Sequence, residues 1–400
     1  MSDCLPTVAI VGGGIGGLTS ALALADVGIN SIVLERYADR NDVGAGIQLS
    51  PNATRVLIQL GLQKDLTVLC RRPSSMEWLD GETDKLLAQF PISSYVDETF
   101  DAPYLQIYRP DLMRVLTSKC ENETRIEFRT GVSVEKLRLD VRGIILDTSS
   151  GDIRTDVCVG ADGTNSTIRK YTHDSFEKRL FGGFAYRAVI PLDQLDERYS
   201  LDVTRLWLNP AYHVVTYTVG EEPVLNCVFV VESRDLASSG DMHRQRAVRS
   251  FLTEAIVDPS PLLRFLLERV PEETLYRWPL YQFPAVPVRS NAEHPIALVG
   301  DAWHTTLPFA GQGAALALED AYALAKCVSD VRSGSIVTRL TRYEESRISR
   351  IRQVQNISAR NRMVYHLKNP MLKLLRSWSA HAAYRRTTRQ LFSYKGIDLN

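Results

Sequence analysis

The sequence has no pair of cysteines close enough to hold a metal or form a redox couple. Its six cysteines, at positions 4, 70, 120, 158, 227 and 327, lie at least 38 residues apart. That spacing excludes a zinc module, a disulfide scaffold and a dithiol oxidoreductase, and it suits a reducing, cytoplasmic compartment. No apolar run reaches the roughly 18 residues of a membrane span. The apolar first 25 residues lack a basic leading segment, carry Asp3 and contain five glycines between positions 12 and 17. They are therefore expected to be structure and not a targeting segment. There is no excess of charge either: 47 Lys and Arg balance 47 Asp and Glu. A neutral chain has no general field for nucleic acid, so none is expected as a partner. What remains is an ordinary globular composition, 44% hydrophobic and 24% charged over 400 residues, enough for two or three domains.

Along the chain, a β-rich run at Thr7–Val11 leads into Gly12–Gly17, then a helical stretch Leu18–Val27 and a second strand Asn30–Glu35. This is a βαβ unit of about 30 residues. Residues 52–61 and 109–120 read as helices, the second with Pro110 in its first turn. From about 181 to 232 the pattern becomes a series of short β-rich pieces, as expected of an antiparallel sheet inserted as a second domain. Helical spacing returns at 244–268, a buried strand is expected at 296–300, and a helix at 313–329. From Ser346 to Asn400 there are twelve Lys or Arg and one acid, Asp398. This tail reads as helices lying over an acidic part of the body; the less favoured reading is contact with a membrane surface or a partner.

Three clusters carry chemistry. In Gly12-x-Gly14-x-x-Gly17, between strand and helix, Gly12 permits the tight turn, Gly14 lets a pyrophosphate approach backbone N–H groups, and Gly17 allows close packing. Glu35, followed by Arg36, ends the next strand and can hold the adenosine ribose. The motif indicates a dinucleotide without separating NAD from FAD. The second cluster is Gly160-Ala-Asp162-Gly163-x-x-Ser166-x-x-Arg169. The third is Gly300-Asp301-Ala-x-His304, continuing to Pro308-x-x-Gly311-Gln-Gly313-Ala314. A helix starting at Gly313 and Ala314 offers N–H groups and a positive dipole end to an anion.

In this order the clusters resemble the group A flavoprotein monooxygenases, FAD-dependent aromatic hydroxylases of the para-hydroxybenzoate hydroxylase fold. Gly44-Ala-Gly46-Ile47-Gln48-Leu-Ser-Pro51-Asn52 and Tyr343-Glu-x-x-Arg347-x-x-Arg350 are similar to the branch with salicylate hydroxylase, 3-hydroxybenzoate 6-hydroxylase and 6-hydroxynicotinate 3-monooxygenase. The resemblance implies an α/β fold: a Rossmann-like, glutathione-reductase-type FAD-binding domain with an inserted antiparallel substrate sheet and a helical C-terminal tail. It assigns residues 1–75, 100–180 and 285–345 to the FAD-binding domain, 76–99 and 181–284 to the substrate domain, and 346–400 to the basic C-terminal region.

By the same resemblance, Gly12, Gly14, Gly17, Glu35 and Arg36 hold the ADP half of FAD, and Arg109 contacts the cofactor. Asp162 serves FAD and NAD(P)H, Asp301 binds ribitol, and Gly311, Gly313 and Ala314 meet the flavin. Gly46, Ile47 and Gln48 lie by its ring. On the substrate side stand Arg187, in the Phe184-Ala-Tyr186-Arg187 strand, and His213 and Tyr217. Four apart on a strand, the last two face one side. The implied reaction consumes NADH or NADPH and O2 and hydroxylates a phenolic or hydroxy-heteroaromatic ring through a flavin C4a-hydroperoxide. The alternative is a same-fold flavin-dependent reductase acting on a lipophilic substrate. The expected protein is a monomer or homodimer. The sequence departs from the family at Trp303, Tyr108 and Phe309; Phe309 makes the expected ring site more apolar.

Overall fold

The computed structural model describes residues 6–38, 45–140, 143–172, 179–196, 199, 202–232, 245–284, 286 and 295–396. Gly44, Cys4 and Asp398 fall outside them. The fold begins as the glycine pattern predicts. Strands β1 (Val8–Val11), β2 (Ser31–Glu35), β7 (Ile126–Thr130), β11 (Val157–Gly160) and β18 (Ile296–Leu298) form a parallel sheet in the order β18-β11-β1-β2-β7. All four residues of β1 and of β11 are buried, as parallel strands covered on both faces require. The strand order reverses at β1, whose C-terminal end opens into Gly12. That crevice is where doubly wound sheets bind ligands.

Helix α1 (Ile15–Asp26) packs on α8 (Gly313–Ser329), and α5 (Arg109–Glu121) lies beside α1. Two segments lie near the crevice: α2 (Pro51–Gln59), and a two-stranded ribbon of β3 (Gly46–Leu49) with β6 (Leu105–Tyr108). Helix α3 (Gln63–Leu69) follows α2. A three-stranded meander, β8 (Val134–Asp140), β9 (Gly143–Thr148) and β10 (Gly151–Thr155), was not anticipated from the sequence pattern.

The second sheet has eight strands in the order β16-β17-β12-β15-β14-β13-β4-β5. These are β4 (Ser75–Asp80), β5 (Leu86–Pro91), β12 (Arg179–Pro191), β13 (Val203–Leu208), β14 (Tyr212–Val219), β15 (Val224–Val231), β16 (Gln245–Arg246) and β17 (Tyr276–Gln282). A short helix α4 (Ser93–Thr99) follows β5. Its pairing is antiparallel except between β13 and β4. The pleat divides its side chains. Phe184, Tyr186, Tyr212 and Val214 join Leu252, Leu263 and Leu266 in a core under α6 (Arg249–Ala255) and α7 (Pro261–Arg269). The alternate residues face the other domain. The expected single helical stretch at 244–268 is thus a short strand and two helices. Pro259, Ser260 and Pro261 break it, with the Ser260 hydroxyl capping α7.

Two long helices close the chain, α9 (Ile336–Tyr365) and α10 (Pro370–Phe392). Helix α9 is one continuous element through position 346. The inward side of α10 rests on an aromatic surface more than an acidic one: Tyr384 stacks on Phe90 at 4.4 Å, and His381 Nε2 donates to the Gln89 carbonyl oxygen at 3.0 Å. No helix among the described residues is long and apolar enough to cross a membrane.

A buried ionic cluster joins α8 to α9. Glu319 accepts hydrogen bonds from Arg347, Arg350 and Asn52, while Asp320 accepts from Arg347 and the Gly300 N–H and meets His304 at 2.7 Å. Burial alone would raise both carboxyls. The facing Arg350 and Arg347 outweigh it for Glu319, and His304 and Arg347 do so for Asp320, so both end below their ordinary values. Such carboxylates stabilise the fold above their unfolded pKa, and the contribution is lost as pH falls through the folded value. Arg347→Met leaves two buried anions short of a partner and is expected to cost about 3–5 kcal/mol near neutral pH. The loss should shrink as pH drops below the ordinary carboxylate range and the carboxyls become neutral. Urea denaturation at neutral and acid pH checks this; an equal loss at both would contradict it.

Candidate active site

The turn after β1 is built around contacts that only glycine allows. Gly12 has φ +107°, and a Cβ there would lie 2.4 Å from the Ala161 carbonyl oxygen. A Cβ on Gly17 would lie 1.9 Å from the Gly12 carbonyl oxygen. Gly14 is different: a Cβ there meets nothing within 4 Å, and no side chain caps the N-terminus of α1 that it opens. Space and unspent N–H groups therefore coincide where a pyrophosphate would sit. The Glu35 carboxylate accepts from the Gly13 N–H at 2.7 Å and from the Tyr37 N–H at 3.0 Å. This fixes its position and leaves lone pairs for ribose hydroxyls. Arg36 is exposed, with its guanidinium over the Tyr37 ring.

The other two glycine clusters converge on the same crevice. Asp162 lies against Gly12 through its backbone. Its carboxylate accepts from the Thr167 N–H at 2.6 Å and from the Ser166 hydroxyl, so it organises its own turn. Asp301 is solvent-exposed yet surrounded by protein, as in the wall of a deep cleft. Burial raises its carboxyl, partly offset by His304, Arg187 and Arg169. Helix α8 starts at Gly313 with no side-chain cap, and Ala314 is half-buried beside it. Gly311 has φ +61°, and a Cβ there would press on Gln48 Oε1 at 3.0 Å. The Gln48 amide nitrogen is buried with no partner among the described residues, and Ile47 packs on the core. Arg109 heads α5, its N–H donating to the Ala45 carbonyl. Trp303, one of the departures from the family, is buried in the core against Tyr343 and donates to the Val286 carbonyl.

The crevice-facing side of the eight-stranded sheet supplies the rest. Gly46 lies so close to β14 and β15 that a Cβ would meet the Tyr217 ring at 2.5 Å, and its N–H donates to Asn226 Oδ1 at 2.6 Å. Arg187 lies on the same face with Nε buried and unpartnered among the described residues; burial lowers its pKa, and Tyr217 and Asp301 counter this. Burial raises the Tyr217 phenol, with Arg187 opposing. His213 is buried, its ring 4.9 Å from Phe309 and 5.3 Å from Tyr365.

What stands behind His213 has no signature in the sequence. Its Nδ1 lies 3.0 Å from His366 Nε2, and His366 Nδ1 lies 2.9 Å from Glu232 Oε1. Glu232 also pairs with Arg362 and is about one-third exposed. Burial lowers both imidazoles. His366 lowers His213 further, while Glu232 pulls His366 partly back up. The three residues form a hydrogen-bonded path from the apolar pocket to solvent.

Residues 6–358 match the family model described as an FAD binding domain. The chain is 31% identical over 371 residues to 3-hydroxybenzoate 6-hydroxylase 1 of Aquipseudomonas alcaligenes, covering 90% of each. The chain belongs to the FAD-dependent aromatic monooxygenases. This hydroxylase family also includes a 6-hydroxynicotinate 3-monooxygenase of Pseudomonas fluorescens, 29% identical over 89% of this chain and 91% of that one. Among solved structures, a salicylate hydroxylase substrate complex shares the fold with a TM-score of 0.75, covering 100% of both chains at 23% identity. The monooxygenase therefore uses FAD with NAD(P)H and O2, and the reading as a non-oxygenating reductase gives way. The α/β fold with an inserted antiparallel sheet and terminal helices is the one the motifs imply.

Proposed function

We propose that this monooxygenase hydroxylates a small phenolic or hydroxy-heteroaromatic ring, and that His213 takes the proton of the ring hydroxyl. The observation that carries the reading is the path from His213 through His366 to Glu232. A phenol is a far better electron donor to an electrophilic oxygen once its proton is shared or removed. With Nδ1 committed to His366, Nε2 is the nitrogen of His213 that a substrate hydroxyl can meet. The proton then passes to His366 and on to the part-exposed Glu232, leaving no net charge beside the ring.

The cofactor fits the open space at Gly14, the uncapped helix starts and the Gln48 amide nitrogen that has no partner among the described residues. Gly12, Gly14, Gly17, Glu35 and Arg36 would hold its ADP half. Gly46, Ile47, Gln48, Asp301, Gly311, Gly313 and Ala314 would hold the flavin end, with Arg109 nearby and Asp162 shaping the turn. When bound, it supplies hydride uptake and oxygen activation. The N-terminus of α8 favours negative charge beside it. Arg187, a cation with an unspent donor, suits a substrate carboxylate or phenolate, and Tyr217 would border the ring. Phe309 and the sheet face exclude water. The division into an FAD-binding part and a substrate part, cytoplasmic residence and a monomeric or homodimeric state belong to the same reading. No disulfide joins any two of the five described cysteines, which supports the compartment.

Glu232→Gln tests the path. Glu232 opposes the depression of the His366 pKa, so its loss lowers that pKa further. The imidazoles then stay neutral to lower pH and become weaker bases. The acid limb of kcat against pH should move to lower pH while the plateau falls several-fold. A plateau loss with an unmoved limb would reduce Glu232 to a structural role.

A further inference from the structure

We propose that the outward face of α10 is a docking surface for an anionic lipid bilayer. Met371, Leu374, Leu375 and Trp378 recur at i, i+3, i+4 and i+7, the spacing of one helix face. Here that face points to solvent: Trp378 is 85% exposed, and Met371 and Leu374 are each 70% exposed. The opposite side of α10 does the packing, through Arg376, Ala380, Thr388 and Leu391. An apolar face is normally the buried one, so a helix with a second, outward apolar stripe has a surface still to cover.

The surrounding charge selects the occupant. Two and three turns further on, Arg385, Arg386 and Arg389 are exposed close to the line of the stripe, and exposed Lys368 precedes it. No acid occurs from Ser346 to Ile397. On α4, which meets α10 through Tyr95, Asp97 pairs with Arg72, and beyond it Asp101 pairs with Arg55 and Lys395. A second copy of the chain docking through this face would oppose the same cations across a two-fold axis, with no carboxylate on α10 to pair with them. A bilayer rich in phosphatidylserine answers both features. The stripe enters the acyl boundary with Trp378 at headgroup level, and the arginines meet lipid phosphates and carboxylates. Each interfacial cation contributes about fivefold to partitioning. This is peripheral binding, since α10 does not span.

The test is co-sedimentation of the holoenzyme with vesicles of phosphatidylcholine, with and without phosphatidylserine, at low and high salt. Binding is expected only with phosphatidylserine and should weaken with salt. The combined variant Met371→Gln, Leu374→Gln, Leu375→Gln, Trp378→Gln should lose at least about tenfold in affinity while keeping its flavin and melting temperature. In the unaltered enzyme, brominated lipid should quench the emission of exposed Trp378, since Trp78, Trp207 and Trp303 are buried and half-buried Trp278 lies on β17, at the far end of the sheet from the β5 strand on which α10 packs. This arm does not depend on how the variant folds. No binding to phosphatidylserine vesicles, equal binding by the variant, or no quenching would overturn the proposal. So would a concentration-dependent dimer, abolished by the variant, in protein that ignores vesicles; that result assigns the face to a second copy.

Discussion

Gly14→Val is expected to fold and to be colourless. At Gly14 the φ of −76° suits any residue, and an added Cβ touches nothing within 4 Å of protein. The new side chain costs the apo fold little, but it fills the space over the first N–H groups of α1. Charge-assisted hydrogen bonds there contribute about 1.5–3 kcal/mol each. Losing two weakens FAD by on the order of 100-fold or more, at about 1.4 kcal/mol per decade. Gly17→Val separates cofactor binding from folding. Its Cβ would overlap the Gly12 carbonyl oxygen, so that protein should not fold at all. Absorbance near 450 nm per folded protein, with circular dichroism as the control, reads both. A yellow Gly14→Val protein would place the pyrophosphate elsewhere.

His213→Ala should keep its flavin and its reduction by NAD(P)H, yet lose on the order of 10²–10⁴ in hydroxylation rate, the usual contribution of a positioned base. Oxygen consumed without product should then appear as hydrogen peroxide. The deficit should narrow at high pH, as the substrate phenol, with a free pKa near 10, ionises unaided. A histidine that only filled the core would show no such pH-dependent recovery. Product and peroxide measured together against NAD(P)H consumed distinguish the two.

The nucleotide-binding half was legible because it depends on residues that nothing else can replace. Gly12 and Gly17 stand where backbone meets backbone, and Glu35 ends the strand that runs beside them. The period-two pairing of His213 with Tyr217 also placed both on the crevice side of β14. What stayed hidden has no local pattern. Glu232 and His366 are 134 residues apart, and their link to His213 arises only where the end of α9 crosses the sheet. The meander of β8, β9 and β10 follows the same logic, with most side chains of its two outer strands β8 and β10 exposed and little apolar contrast there to mark it. The tail was read by its charge, yet Arg347 and Arg350, at its start, are the parts of it that reach buried acids. Tyr384 and Phe90 do much of the docking.

The decisive experiment is anaerobic reduction of the bound flavin by NADH and by NADPH, followed with and without a panel of phenols and hydroxy-aromatic acids. At least one compound bearing a ring hydroxyl is expected to accelerate reduction manyfold and to be hydroxylated itself when O2 is admitted. Fast reduction indifferent to every aromatic compound, with no hydroxylated product, would contradict that expectation.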